Sequence, residues 1–404
     1  MKFASAILTG AAAVKALSIP QNVDKREELV PITTGFTMKP FLTELVEAVN
    51  DGADLTEILT KPAGDILSVG IADVNATIHL GLSTVGLAIN SGGRVSDDDV
   101  SRIESTAGSA SRVGDNARGS CSNPKVRVEW RNMQPVQRKA FVNAIVCLWN
   151  APSKGLAPPA TNRYEELVWV HQQMVNKVHQ SGMFLIWHRY YTHLFGRMLR
   201  EECGYPGAYP FPWWDETKDS GNFAASGLFT ADYFGALPQL NNGQGTCVTN
   251  GPFAGKRLHI GPGGGNQDRC LSRGENRDLT RQVSAAFVNS CNSRSTYAQM
   301  RECTEFGPHA YGHNGLGPVM SDVAASPADP VFFLHHAFID RNFWKWQSQA
   351  ASRWTDIYAC AAPGNPCPIM GLDTVISSMG LRPDVRVRDI LDAEGSWLCY
   401  SYDY

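Results

Sequence analysis
Eight of the ten histidines in this chain fall in two short stretches, leaving His79 and His259 outside. The first, VHQQMVNKVHQSGMFLIWHRY from Val170 to Tyr190, carries His171, His179 and His188 at steps of eight and nine residues, with His193 just beyond. Eight residues is a little over two helical turns, so His171 and His179 are expected on one helix face. Gln180, Ser181 and Gly182 read as a break, which puts His188 on a second helix beginning near Met183. The second stretch holds His309 and His313, four apart in HAYGH, and then the adjacent pair His335 and His336 in DPVFFLHHAFIDR. Phe184 precedes His188 by four residues and Phe332 precedes His336 by four, so the two stretches echo each other. Neutral imidazole is the commonest protein metal ligand. Imidazole sets free of thiolate and carboxylate suit copper, zinc, iron or nickel rather than magnesium or calcium. Two three-histidine sets predict two metals.

The motif His171, His179, Phe184-x-x-Trp187-His188-Arg189 is followed by Glu305-x-x-Pro308-His309-x-x-x-His313 and Asp329-Pro330-x-Phe332-x-x-His335-His336-x-x-x-Asp340-Arg341. Together they resemble the two copper-binding halves of the tyrosinase, catechol oxidase (polyphenol oxidase) and molluscan-type haemocyanin family, in a short secreted form like that of fungi. The likeness runs from about Val126 through Trp344 and Trp346, taking in FPWWDETKDSGNF at 211–223 and GPFAG at 251–255. VRVEWRNMQPVQRKAFVNAIVCL, from Val126, is similar to that family's entry helix.

The resemblance implies a type 3 dinuclear copper oxidase acting on small phenols with dioxygen. His171, His179 and His188 would bind the first copper, and His309, His313 and His336 the second. His336 is taken over His335 because it occupies the family's ligand position, which periodicity alone cannot decide between neighbours. Glu305 matches a glutamate that holds a water near the coppers, and also reads as a helix-start carboxylate. Asp340 is expected to fix an imidazole or to pair with Arg127 or Arg341, while Phe184 and Phe332 wall the site and His193 is an ordinary helix histidine. Val323 is expected to leave access to the second copper open. Ala310, where proficient monophenol hydroxylases of the family commonly have asparagine, has no side-chain hydrogen-bonding group, leaving Asn314 as a substitute or a turn residue before Gly315. These features imply oxidation of o-diphenols to o-quinones with dioxygen reduced to water. The alternatives are a tyrosinase with full monophenol hydroxylation and a haemocyanin-like oxygen carrier. A zinc hydrolase fits poorly, since nothing resembles an HExxH arrangement. No cysteine lies between Cys147 and Cys203, so the cysteine–histidine crosslink that many relatives make to a first-site histidine has no local partner here.

The elements expected to hold these residues are helical: a mainly α fold, an antiparallel four-helix bundle around the dinuclear copper site, with long loops and little β. A helix is expected to run from Val126 through Trp149, long loops over 204–265, a short helix near Arg281 to Asn289, a turn over 325–330 and a helix from Val331 to about Gln349. From Cys360 to Tyr404 the segments are short and bounded by prolines. Residues 116–404 are expected to form the copper domain. Before them, 1–18 reads as a signal peptide, 19–26 as a propeptide ending at Lys25-Arg26, and 27–115 as a helical extension. Asn75-Ala76-Thr77 is a glycosylation sequon.

A net charge of −3, with both signs spread along the chain, points to neither nucleic acid nor an anionic membrane as partner. The apolar run from His79 to Asn90 falls short of a bilayer span. Ten cysteines without the paired spacing of a zinc site predict disulfides in a secreted protein.

Overall fold
The computed structural model describes Met38, Pro40 and residues 121–404 apart from 243 and 363–365. The expected leader, propeptide and Asn75 sequon, and the 27–115 extension other than Met38 and Pro40, lie outside the described residues.

Six helices carry the site: α1 (Pro135–Asn150), α2 (Arg163–Val178), α3 (Met183–Cys203), α4 (Tyr297–Thr304), α5 (Ala310–Leu316) and α6 (Phe332–Ser348). Helix α3 is the hub, packing against α1, α2 and α6. Helix α2 starts where Asn162 Oδ1 accepts from the Glu165 amide at 3.0 Å and places Glu165 and Glu166 in the positive first turn. Its face of Leu167, Val168, Val170, His171, Met174 and Val178 is buried. Helix α3 begins at Met183, where the sequence break ends, and stops at Gly204, whose φ of 65° is a left-handed cap. Helix α6 follows the turn at 326–328 as expected. Its interior is dominated by Phe332, Phe333, Phe338, Phe343 and Trp346, all fully buried.

The expected entry helix is corrected. Lys125–Glu129 is a strand, β1, and the helix begins only at Pro135, where a missing N–H costs nothing. β1 lies between β2 (Pro212–Trp213) and β3 (Tyr400–Tyr402), parallel to both. It is inside out: Arg127 and Glu129 are buried while Val126 is exposed. The valines therefore suggest a helix or an ordinary strand, whereas the charged residues set the register by finding partners. Arg127 reaches Asp340 at 3.3 Å, and Glu129 accepts from the Arg131 amide at 2.8 Å. The helix expected near Arg281 to Asn289 is instead two short ones, Arg277–Thr280 and Ala285–Asn292. Ser284 Oγ caps the second by accepting from Phe287 at 3.1 Å.

Asp340 is likewise corrected. It does not touch His336 through a hydrogen bond but lies in a buried network with Arg189, Arg127, Tyr400 and Tyr402. Of its two expected ion-pair partners, Arg127 is present; Arg341 turns to the Tyr404 carbonyl at 2.8 Å. Burial alone would raise the Asp340 carboxyl, but Arg189, Arg127 and the two tyrosine hydroxyls hold it below the usual carboxylate range. This network ties α3, α6, β1 and β3 together.

All ten cysteines pair: Cys121–Cys399, Cys147–Cys203, Cys247–Cys270, Cys291–Cys303 and Cys360–Cys367. Cys147–Cys203 staples α1 to the end of α3. No helix of the described residues is long and apolar enough to cross a membrane. Replacing Asp340 by Ala is expected to lower stability by about 3–5 kcal/mol, because two buried guanidinium groups lose their counter-charge. Denaturant unfolding of the variant checks this; a loss below about 1 kcal/mol would place the network among exposed ion pairs in energetic terms.

Candidate metal centre
The two histidine stretches meet in the core. His171 lies within α2, and His188 within the second turn of α3. His179 is not on the helix face expected for it but is the residue that ends α2, with extended φ and ψ of −109° and 153°. The chain then reverses through Gln180 in the left-handed region, φ 55°. On the other side, Glu305–His309 is a single π-helical turn between α4 and α5. Pro308 and the non-helical Gly307 interrupt the usual hydrogen bonding there. Gly307 is required, since a Cβ would lie 2.5 Å from the Phe287 ring. The turn aims His309, and His313 follows on α5.

Five imidazoles are held alike. Nδ1 of His171, His179, His188, His309 and His313 lies 2.7–3.0 Å from the carbonyls of Ala324, Val175, Phe184, Glu305 and Met320 respectively. A neutral imidazole that donates from Nδ1 leaves a lone pair on Nε2. Those nitrogens converge: His171 and His188 Nε2 are 3.4 Å apart, and His313 and His336 Nε2 are 3.2 Å apart. Nε2 of His179 and of His309 is buried with no protein partner. Lone pairs facing each other in a dry core repel unless a cation lies between them, so the donor set fits a metal ion in each half. His171, His179 and His188 offer nitrogens within 4.8 Å of one another, as do His309, His313, His335 and His336.

The halves face each other. The rings of His188 and His336 stack with centroids 4.4 Å apart, and His179 lies 6.1 Å from His309. Phe184 packs on both sides of this divide, 4.9 Å from His188 and 4.6 Å from His309. Phe332 does the same from the opposite wall, 5.3 Å from His171 and 4.1 Å from His336. These phenyl rings exclude water and give the imidazoles no hydrogen-bond partner.

Burial holds the ligand-competent form. His171, His188, His309, His313 and His336 are driven well below the ordinary value of 6.5, by desolvation first and by one another second. Desolvation lowers His179 to about 4. All therefore stay neutral at physiological pH without help from a metal.

Glu305 bridges the two stretches. Its Oε1 accepts from the Gln180 amide at 2.6 Å, just past His179, and its Oε2 from Arg301 at 2.8 Å. Burial raises its carboxyl above the usual range, against the opposing pull of Arg301 and the Gln180 amide. Ala310 is buried directly after His309. Val323 is half-buried. Asn314 is also half-buried, and its Nδ2 donates to the Met38 carbonyl at 2.8 Å. His193 lies outside the centre, its ring against Trp397 at 5.1 Å. The residue pair that sequence reasoning passed over is Glu216 with His335, whose Nδ1 lies 2.6 Å from Glu216 Oε1. FPWWDETKDSGNF contains Glu216, but no local spacing links it to a histidine 119 positions away.

Two outcomes are expected. In the metal-free protein each buried imidazole binds its proton less readily than in the unfolded chain, so the unfolded state gains protons as pH falls through about 6.5. Stability from this source is complete above that value and is lost below it. The melting temperature of metal-free protein should fall between about pH 7 and pH 5; a level or rising curve would contradict neutral burial. Second, since all ten cysteines are in disulfides, the peptide containing His179 should have the mass of unmodified histidine after reduction. A deficit of two hydrogens on that peptide would reveal a thioether.

Residues 161–349 match the family model described as the common central domain of tyrosinase. Among curated relatives, tyrosinase ustQ of Aspergillus flavus is 31% identical over 70% of this chain and 80% of its own length. Tyrosinase-like protein phomQ1 of Diaporthe leptostromiformis is 32% identical over 70% of this chain and 78% of its own. N-acetyl-6-hydroxytryptophan oxidase ivoB of Emericella nidulans is 27% identical over 70% and 93%. The fold matches that of a polyphenol oxidase from Thermothelomyces thermophila with a TM-score of 0.65, at 24% identity, covering 86% of this chain and all of that one. With both buried histidine sets inside the matched span, this chain belongs to the tyrosinase family and is a type 3, dinuclear copper oxidoreductase.

Proposed function
We propose that the chain oxidises o-diphenols to o-quinones, with His171, His179 and His188 holding one copper and His309, His313 and His336 the other. Two catechols each give up two electrons and two protons, and one dioxygen becomes two waters. The bound copper pair supplies the electron transfer to dioxygen and the Lewis acidity that favours phenolate.

The protein's part is to keep six imidazoles neutral and aimed, to wall the centre with Phe184 and Phe332, and to leave an entrance beside Val323. The observation that carries the diphenol preference is the pairing of Glu305 with Ala310. Removing a phenolic proton before hydroxylation calls for a positioned acceptor within hydrogen-bond reach. Glu305, the candidate, already has one oxygen on the Gln180 amide and the other on Arg301. Ala310 cannot help to orient a water, and the Asn314 amide is turned to Met38. A catechol, which is far easier to oxidise, makes less demand on such a base. The relative named as an oxidase of N-acetyl-6-hydroxytryptophan supports a substrate that already carries a ring hydroxyl. The relatives named as tyrosinases keep full monophenol hydroxylation as the second reading. Five disulfides, together with the leader-like residues 1–18, support action outside the cytosol.

The test is the ratio of initial rates on a matched monophenol and catechol. Diphenol oxidation should exceed monophenol oxidation by roughly tenfold or more, in line with the loss of one well-placed proton acceptor. Ala310→Asn should raise the monophenol rate relative to the diphenol rate. Comparable rates in the native enzyme would leave a tyrosinase, and reversible dioxygen binding without quinone would leave a carrier.

A further inference from the structure
The second half of the centre contains four imidazoles. His335 neighbours His336 on α6, so its side chain leaves the helix about 100° further round, yet its ring is 4.5 Å from His313, edge to face at 76°. It is 5.5 Å from His309 and 5.2 Å from His336. Its orientation is set by Glu216 Oε1, at 2.6 Å from Nδ1, with both side chains 0% exposed. Within the two described histidine sets, the other five imidazoles with an Nδ1 partner use main-chain carbonyls in this role, and His335 alone uses a glutamate side chain. The remaining polar atoms of the pair, His335 Nε2 and Glu216 Oε2, have no protein partner.

The backbone makes room for this pair. Gly312 immediately precedes His313, and a Cβ there would lie 2.6 Å from His335 Cε1 and 2.8 Å from Glu216 Oε2. The contact therefore packs Glu216 and His335 against the main chain at Gly312, the residue next to His313. At metal sites an acidic side chain bonded to the outer nitrogen of a ligating imidazole fixes its ring plane; Glu216 fixes the ring packed against one such imidazole, His313.

We propose that Glu216 is a positioning residue of the second copper centre: through His335 it braces the His313 ring and so sets how His309, His313 and His336 hold their ion. The proposal rests on the dinuclear centre and not on the catechol preference. Glu216 does not touch substrate, and its effect belongs to the metal.

The full chain is loaded with copper as the native protein and as Glu216→Leu, Glu216→Gln and Gly312→Ala. Each is then challenged with a chelator, following copper per chain and the electron paramagnetic resonance signal of isolated Cu(II). Leu is chosen because it is of similar size and offers His335 no hydrogen-bonding atom, and melting of the metal-free forms separates a loss of fold from a loss of metal. Glu216→Leu should release one of its two coppers roughly 10–100-fold faster than native, with an isolated Cu(II) signal appearing. Gly312→Ala, which displaces the same pair, should behave alike. Glu216→Gln keeps a hydrogen-bonding partner for His335 Nδ1 and should restore slow release. The proposal is overturned if Glu216→Leu holds both coppers as native does, if both leave together alongside a lower metal-free melting temperature, or if Gln fails to rescue. A native chain that takes up no copper would overturn the metal centre itself, which the other outcomes leave standing.

Discussion

The structure depends on keeping a cluster of imidazoles neutral, dry and mutually facing. Nitrogen lone pairs 3.2–3.4 Å apart gain nothing from each other, and the residues around them offer phenyl rings rather than donors. What sustains the arrangement from the protein side is the set of main-chain carbonyls that accept from Nδ1. Each carbonyl fixes a tautomer and a ring direction at once. Three of the five lie four residues before their own histidine: Val175 for His179, Phe184 for His188 and Glu305 for His309. Helical geometry supplies these partners wherever a histidine points back along its own turn. The other two, Ala324 for His171 and Met320 for His313, come from the segment between α5 and α6, which includes the short helix Pro318–Ser321. That segment therefore serves both halves.

Departures from regular helix occur where aiming requires them. His179 leaves α2 at its last turn, the chain reverses through a left-handed Gln180, and the Gln180 amide is secured by Glu305 from the opposite half. At His309 a π turn containing Pro308 re-aims the side chain by changing the residues per turn. Glu305 stands at the start of that turn, so one carboxylate couples the two irregular segments.

Rigidity arrives from further out. Asp340 is one helical turn past His336, and its charge is shared by Arg189 from α3 and Arg127 from β1, with Tyr400 and Tyr402 closing the ring. Arg189 directly follows His188 in sequence. The same ion-pair network thus sits next to one histidine of each half and locks α3 to α6, the two helices whose rings stack as His188 and His336. Disulfides between α1 and α3 and between the Ala285–Asn292 helix and α4 restrain the helices around this core.

Local pattern alone was enough for the two histidine-bearing stretches, the break at Gln180–Gly182, the start of α3 at Met183 and the extent of α6, because helical period and punctuation act over a few residues. The inward charges of β1, the partners of Asp340 and the contact of Glu216 with His335 were decided only by the tertiary structure. Arg127 and Asp340 are 213 positions apart, and Glu216 and His335 are 119. Nothing in the spacing of KVRVE tells that its arginine and glutamate turn inward, since buried charge is tolerated only where distant partners arrive to compensate it. The same limit applies to His335 and His336. As neighbours they have the same local context, and the fold separates them by sending one ring towards His313 Nε2 and the other towards a buried carboxylate.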